Sequence, residues 1–171
     1  MRDTAELFDL TGKVVIVTGS TKGIGRAMAE GLARAGASVV VSSRKQELCD
    51  EVAKEIAGAT GADVLGLACH VGDWDAIPEF VDGVLERFGR IDGLVNNAGI
   101  NPARVGPAEM TLDYWRKVFS VNLEGPLRAA APASISLMNG PGLRMFTRIF
   151  QSAHSMAIAL VRFLRPAFEA P

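Results

Sequence analysis

A chain of 171 residues has the length of one domain with a single substantial core, enough to bury roughly 70% of its unfolded surface. With 49% apolar and 22% charged residues it has the composition of a soluble globular protein, which argues against disorder. A formal net charge of −1 gives no electrostatic reason to expect nucleic acid or a membrane as partner. Two cysteines in unrelated contexts, Cys49 and Cys69, argue against a disulfide framework and against a metal site.

The start, Met1 to Leu10, carries Asp3, Glu6 and Asp9 and no apolar run, so it does not read as a signal peptide. The longest late apolar run, Met156 to Val161, is far short of a membrane span, and cytoplasmic residence is the default expectation. Lys13 to Thr18 is a short β-branched run ending at a glycine, the pattern of a buried parallel strand. Gly23 to Ala35 then shows helical spacing, with Gly36 as a C-terminal stop. Ser38 to Val41 predicts a second strand, and Gln46 to Ala57 a second helix with Leu48, Val52 and Ile56 four residues apart. Asp63 to Cys69 is a third strand, Ala76 to Phe88 a third helix, and Ile91 to Val95 a fourth strand. Thr111 can cap a further helix running to about Ala130.

Alternating strands and helices imply βαβ crossovers and a parallel sheet covered on both faces, so the expected fold class is doubly wound α/β of Rossmann type. The character of the chain changes near Leu127. From there to Pro171 five arginines face one acid and lysine is absent, whereas the preceding 126 residues hold 13 basic and 18 acidic residues. Phe146, Ile149, Phe150, Ala153, Met156, Leu160 and Phe163 recur at three- and four-residue steps, which predicts an amphipathic helix rather than another βαβ unit. The expected organisation is thus an α/β unit over 1–130 followed by a tail of different character over 131–171.

The stretch "TGSTKGIG" (Gly19, Ser20, Thr21, Lys22, Gly23, Ile24 and Gly25 after Thr18) joins the first strand to the first helix. Glycines there let the backbone turn sharply and approach a pyrophosphate, while the helix start offers unpaired N–H groups and a positive dipole end. The alternative is a turn that merely connects two elements; strand before and helix after favour the nucleotide reading. An acid about twenty residues on would grip a ribose 2′-hydroxyl. This chain has Ser42-Ser43-Arg44-Lys45 instead, together with Lys22 inside the loop. Cations there suit a 2′-phosphate, and a charged hydrogen bond of roughly 1.5–3 kcal/mol favours NADP(H) about ten- to a hundredfold. Arg44 and Lys45 alternatively sit in solvent at a helix start.

With "TGSTKGIG", "VNNAGINP" (Val95 to Pro102) and "VNLEG" (Val121 to Gly125) in order, the sequence resembles the classical short-chain dehydrogenase/reductase family over about residues 8–130. "VVVSSRKQ" and "CHVGD" are most similar to its NADP-dependent carbonyl reductase and retinol dehydrogenase branch. The resemblance implies a phosphate loop at Gly19, Gly23 and Gly25, with Ser43, Arg44 and Lys45 around the adenosine phosphate. It places His70 and Val71 against adenine, His70 standing where the family more often has aspartate. Asn97, Ala98 and Gly99 match the stretch that supports the sheet and lies along the cofactor. Asn122 matches the asparagine that helps hold a water-mediated proton relay, and is the one member of the catalytic set found. It further implies hydride transfer between NADP(H) and a small-molecule carbonyl or alcohol, and a capacity to form homo-oligomers.

That chemistry uses a serine, a tyrosine and a lysine four residues after the tyrosine, all downstream of the asparagine. No tyrosine follows Tyr114 and no lysine follows Lys117, so the Tyr-x-x-x-Lys pair is absent. Ser134, Ser136, Ser152 and Ser155 read as ordinary helix or turn serines. In a continuous helix Tyr114 and Lys117 lie roughly 80° and 140° from Asn122, so they read as an exposed side whose buried side carries Trp115 and Phe119. Two expectations stand beside each other: an oxidoreductase by family with impaired catalysis, and a non-catalytic nucleotide-binding remnant or frame-shifted product.

Overall fold

The computed structural model describes residues 8–101 and 109–130. The predicted tail helix and the four tail serines lie outside them. Four parallel strands, β1 (Val14–Thr18), β2 (Ser38–Ser42), β3 (Val64–Gly66) and β4 (Gly93–Val95), are ordered β3-β2-β1-β4. Helices α1 (Gly23–Arg34), α2 (Gln46–Thr60) and α3 (Ala76–Phe88) connect them in turn. The chain steps outward from β1 to β3 and returns on the other side of β1, which opens a crevice at the carboxyl ends of β1 and β4.

Strand alternation divides the core between the two sheet faces. Val15, Val17, Val39 and Val41 pack with Ala29 and Ala33 of α1 and Val52, Ala53 and Ile56 of α2. Val14, Ile16, Val40 and Leu94 pack with Ile77, Phe80, Val81 and Val84 of α3. Each such aliphatic side chain contributes about 1.5–3 kcal/mol on burial. Both cysteines are free and buried. Burial, with the Asp73 charge adding to it, pushes the Cys69 thiol up to about 11.

Element ends depart from the periodicity where side chains take over backbone roles. α2 runs three residues past Ala57, because Thr60 Oγ1 donates to Ile56 O (2.7 Å) and Gly61, at φ 73°, is the first residue to turn left-handed. The third strand pairs only over Val64–Gly66, although Leu67 N and Cys69 N still donate to Val41 O and Ser43 O. The fourth begins at Gly93 rather than Ile91: the Asp92 carboxylate accepts from Val14 N (2.9 Å), so a side chain does what a ladder residue would have done.

The helix expected from Thr111 to Ala130 forms in three parts. Helix α4 (Leu112–Phe119) starts on Thr111, whose Oγ1 accepts from Tyr114 N (3.2 Å). A π-helical turn follows over Ser120–Glu124, closed by the Gly125 N–H on Ser120 O, and then α5 (Gly125–Ala130). The expected burial of Trp115 is corrected: it is 47% exposed and stacks on the half-buried Phe119 at 4.0 Å between ring centroids. Helical spacing identifies an apolar face, but no described residue covers this one, and α4 has no buried residue. Among the described residues β3 and β4 form the two edges of the sheet.

Asp92 also ties Lys13 and Arg90 to the amino edge, its carboxylate being only 7% exposed. Burial raises its pKa, but hydrogen bonds from Arg90 and Val14 N and the charges of Arg90 and Lys13 outweigh that and hold it below the ordinary carboxylate range. A depressed carboxylate stabilises the fold above its unfolded pKa and loses that contribution as pH falls through the folded value. Asp92→Ala is expected to cost about 1–3 kcal/mol at pH 7. In urea unfolding from pH 7 to pH 3, the gap to wild type should narrow below about pH 4. A gap independent of pH would show that the carboxylate's charge contributes nothing.

Candidate functional site

At the carboxyl edge, β1 ends in Thr18 and the chain turns on Gly19 (φ 67°) and Gly23 (φ 59°), conformations that strain any residue with a Cβ. A Cβ on Gly19 would lie 2.9 Å from Ala98 Cα, and one on Gly25 would overlap the Asn97 amide and come within 2.5 Å of Gly19 O. No described residue lies within 4 Å of where a Cβ on Gly23 would stand. The loop is therefore closed underneath and open above. Lys22 is the α1 N-cap residue; its side chain makes no capping hydrogen bond and the first turn holds no acid, so the amide dipole faces outward. Thr21 is half-buried, and Lys22 and Ile24 are exposed.

Ser20 belongs to the scaffold of this loop. It is fully buried, its Oγ donates to Val17 O (2.6 Å) and accepts from Ser42 N (3.0 Å), and its N–H donates to Ser42 O. Asn97 is similarly engaged: Nδ2 donates to Thr18 O (2.9 Å) and Gly19 O (3.1 Å). Thr18 Oγ1 accepts from both Asn97 N and Ala98 N at 3.1 Å. Asn97 and Ala98 thus brace the loop from beneath, while Gly99 is exposed. Thr18 was not singled out from the sequence, although a hydroxyl residue at the last strand position before a glycine loop was the available signal.

Two buried polar atoms here, Ser42 Oγ and Asn96 Nδ2, have no hydrogen-bond partner among the described residues. Charge is also distributed unevenly. Arg26 is occupied, its Nε on Glu30 (3.1 Å) and Nη2 on Glu55 (2.6 Å). Lys22, Arg44 and Lys45 are exposed and join no ion pair among the described residues, and Ser43 beside them is half-buried. Across the edge His70 is exposed, with Nδ1 accepting from Gly72 N (3.1 Å), and Val71 is half-buried.

Asn122 sits in the π turn, where Oδ1 accepts from Ile100 N and Nδ2 donates to Ile100 O, both at 2.8 Å. Each atom keeps a further lone pair or hydrogen. Tyr114 is half-buried rather than simply exposed, and its phenol donates to Asn101 Oδ1 (2.8 Å). Tyr114 and Asn122 therefore grip neighbouring residues of one loop. Lys117 is exposed at the far end of α4, where it lines a shallow surface depression with Trp115, Phe119 and Glu124.

The model of the short chain dehydrogenase family matches residues 13–143. The chain belongs to the short chain dehydrogenase family. Its curated relatives include dehydrogenase/reductase SDR family member 4 of Caenorhabditis elegans, 45% identical over 113 residues, which are 66% of this chain and 44% of that protein. The mitochondrial dehydrogenase/reductase SDR family member 2 of Homo sapiens is 43% identical over 117 residues, 68% of this chain and 41% of that one. Among solved structures, a metagenomic short-chain oxidoreductase in complex with NADP superposes with a TM-score of 0.68 at 37% identity, over 75% of this chain and 57% of that one. L-sorbose reductase from Gluconobacter frateurii, complexed with NADPH and L-sorbose, gives 0.71 at 30%, over 76% and 48%. The chain spans less than half the length of the two curated relatives.

Proposed function

We propose that this chain binds NADP(H) at the carboxyl edge of its sheet and derives from an oxidoreductase that exchanges hydride between that cofactor and a small carbonyl or secondary alcohol. The observation that carries the reading is the pairing of an open glycine loop with three cations that join no ion pair among the described residues. Gly23 leaves room above the loop, the α1 amide end is uncapped, and Lys22, Arg44 and Lys45 supply positive charge where an acid would favour a bare ribose. The unpartnered Ser42 Oγ and Asn96 Nδ2 support it, since buried polar atoms at an edge are ordinarily satisfied by a ligand or bound water.

In this reading Gly19, Gly23 and Gly25 shape the loop that takes the diphosphate, with Ser20, Asn97 and Ala98 holding it, while Ser43, Arg44 and Lys45 receive the adenosine 2′-phosphate. Thr21 and Ile24 flank the loop, and His70, Val71 and Gly99 border the cofactor. When bound, the nicotinamide would supply hydride transfer to or from carbon. Asn122, with one donor and one acceptor unused among the described residues, is suited to hold a water that passes a proton. The chain lacks Tyr-x-x-x-Lys beyond Asn122, which favours binding with negligible turnover by this polypeptide alone, because a positioned proton donor contributes roughly 10²–10⁴.

Fluorescence titration should show NADPH binding about ten- to a hundredfold tighter than NADH, with Arg44→Asp abolishing most of the preference. Equal affinities, or no binding by a chain that circular dichroism shows to be folded, would refute the assignment. NADPH oxidation against a panel of carbonyl compounds at ordinary enzymatic rates would instead refute the expectation of negligible turnover.

A further inference from the structure

The loop that carries Arg44 and Lys45 is only three residues long, and each of its ends is fastened by a side chain of α2. At the first end the buried Cys49 Sγ accepts from Ser43 N (3.1 Å) and lies 3.3 Å from Ser43 Oγ, while Ser43 O accepts from Cys69 N (2.8 Å). At the second end Gln46 bridges the end of β3: Oε1 accepts from Ala68 N (2.7 Å) and Nε2 donates to Gly66 O (2.9 Å). Gly66 permits the approach, since a Cβ there would lie 2.6 Å from the carbonyl of Cys49. Arg44 and Lys45 are exposed between two anchored residues.

We infer that Cys49 and Gln46 are positioning residues that hold Ser43, Arg44 and Lys45 in a fixed cradle and so set the preference of this site for a phosphorylated over an unphosphorylated dinucleotide. The inference rests on the proposed NADP(H) reading. Without the anchors, the backbone under two long cations must be ordered at the moment of binding, and that ordering weakens the ligand contacting them. A ligand lacking the 2′-phosphate does not contact them and is indifferent to the anchors.

The test is fluorescence titration of wild type, Cys49→Ala, Cys49→Ser and Gln46→Ala with NADPH and with NADH, alongside thermal unfolding. Loss of these neutral anchoring hydrogen bonds should raise the NADPH Kd about three- to tenfold in Cys49→Ala and Gln46→Ala, and the NADH Kd less than about twofold. Cys49→Ser keeps an acceptor in the same place and should stay within about twofold of wild type for both ligands. Should both Kd values rise by the same factor, or the ratio stay unchanged in folded variants, these residues are merely structural and the inference fails. A wild type that binds NADPH no better than NADH overturns the cofactor reading itself, and the inference with it.

Discussion

Gly25→Ala should lower the unfolding free energy by about 3 kcal/mol, at the upper end of what overpacking a closed site costs. The methyl group would enter space held by the Asn97 amide and the Gly19 carbonyl, and Ser20 Cα lies 3.0 Å from where it would stand. None of these can yield cheaply. Asn97 is fixed by its bonds to Thr18 and Gly19, and Ser20 by its bonds to Val17 and Ser42. Relief requires lifting α1 off the loop, which disturbs the uncapped helix end and should weaken NADPH binding by about tenfold or more. Gly31→Ala, in the same helix with nothing within 4 Å, is the control: it should stabilise by about 0.5–1 kcal/mol through helix propensity alone. Urea unfolding of the two variants reads the contrast directly, and similar values for both would show that Gly25 is not held as tightly as the geometry demands.

The features legible in the sequence are those encoded by neighbours in the chain. Val14 to Thr18 announces a buried strand because all five of its residues are buried, and Gly36 stops a helix by its own φ. The glycine loop and the cations at Ser43 to Lys45 are likewise local. What escaped depends on partners far along the chain. Gln46 reads as an ordinary helix-start residue, yet its amide completes backbone bonds twenty and more residues away. Asp92 reads as the interior of a strand, and its carboxylate pins Val14. The π turn carries no periodic signature of its own. It forms where Asn122 is held on Ile100 while the helix beyond must seat Gly125 against Val71, and one extra residue per turn accommodates both. Trp115 and Phe119 show the converse: spacing identifies an apolar face but carries no information on what lies over it.

Gly125→Ala separates propensity from packing most sharply, because the two predict opposite signs. Gly125 sits at φ −57°, ψ −55°, a conformation any residue adopts, so alanine at the head of α5 should gain about 0.5–1 kcal/mol. Its Cβ, however, would overlap the Val71 carbonyl and lie 3.3 Å from Ser120 O. The facing loop repeats the arrangement, since a Cβ on Gly72 would meet Val121 Cγ2 at 2.7 Å and His70 Cε1 at 2.9 Å. Two glycines therefore let the His70–Gly72 loop close on the π turn and α5, and a side chain on either side must push them apart. Doing so draws Val121 and Ala129, both buried, away from the core. Packing loss at this contact should outweigh propensity, leaving Gly125→Ala less stable by about 2–3 kcal/mol. Gly72→Ala should cost about 1 kcal/mol, because it presses on the end of a side chain rather than on backbone. The displacement that admits one methyl group also admits the other, so the double variant should be less destabilised than the sum of the singles, by about 0.5 kcal/mol or more. Urea unfolding of the four proteins closes the cycle: a stabilised Gly125→Ala, or strict additivity, would mean that the loop and the helix do not bear on each other.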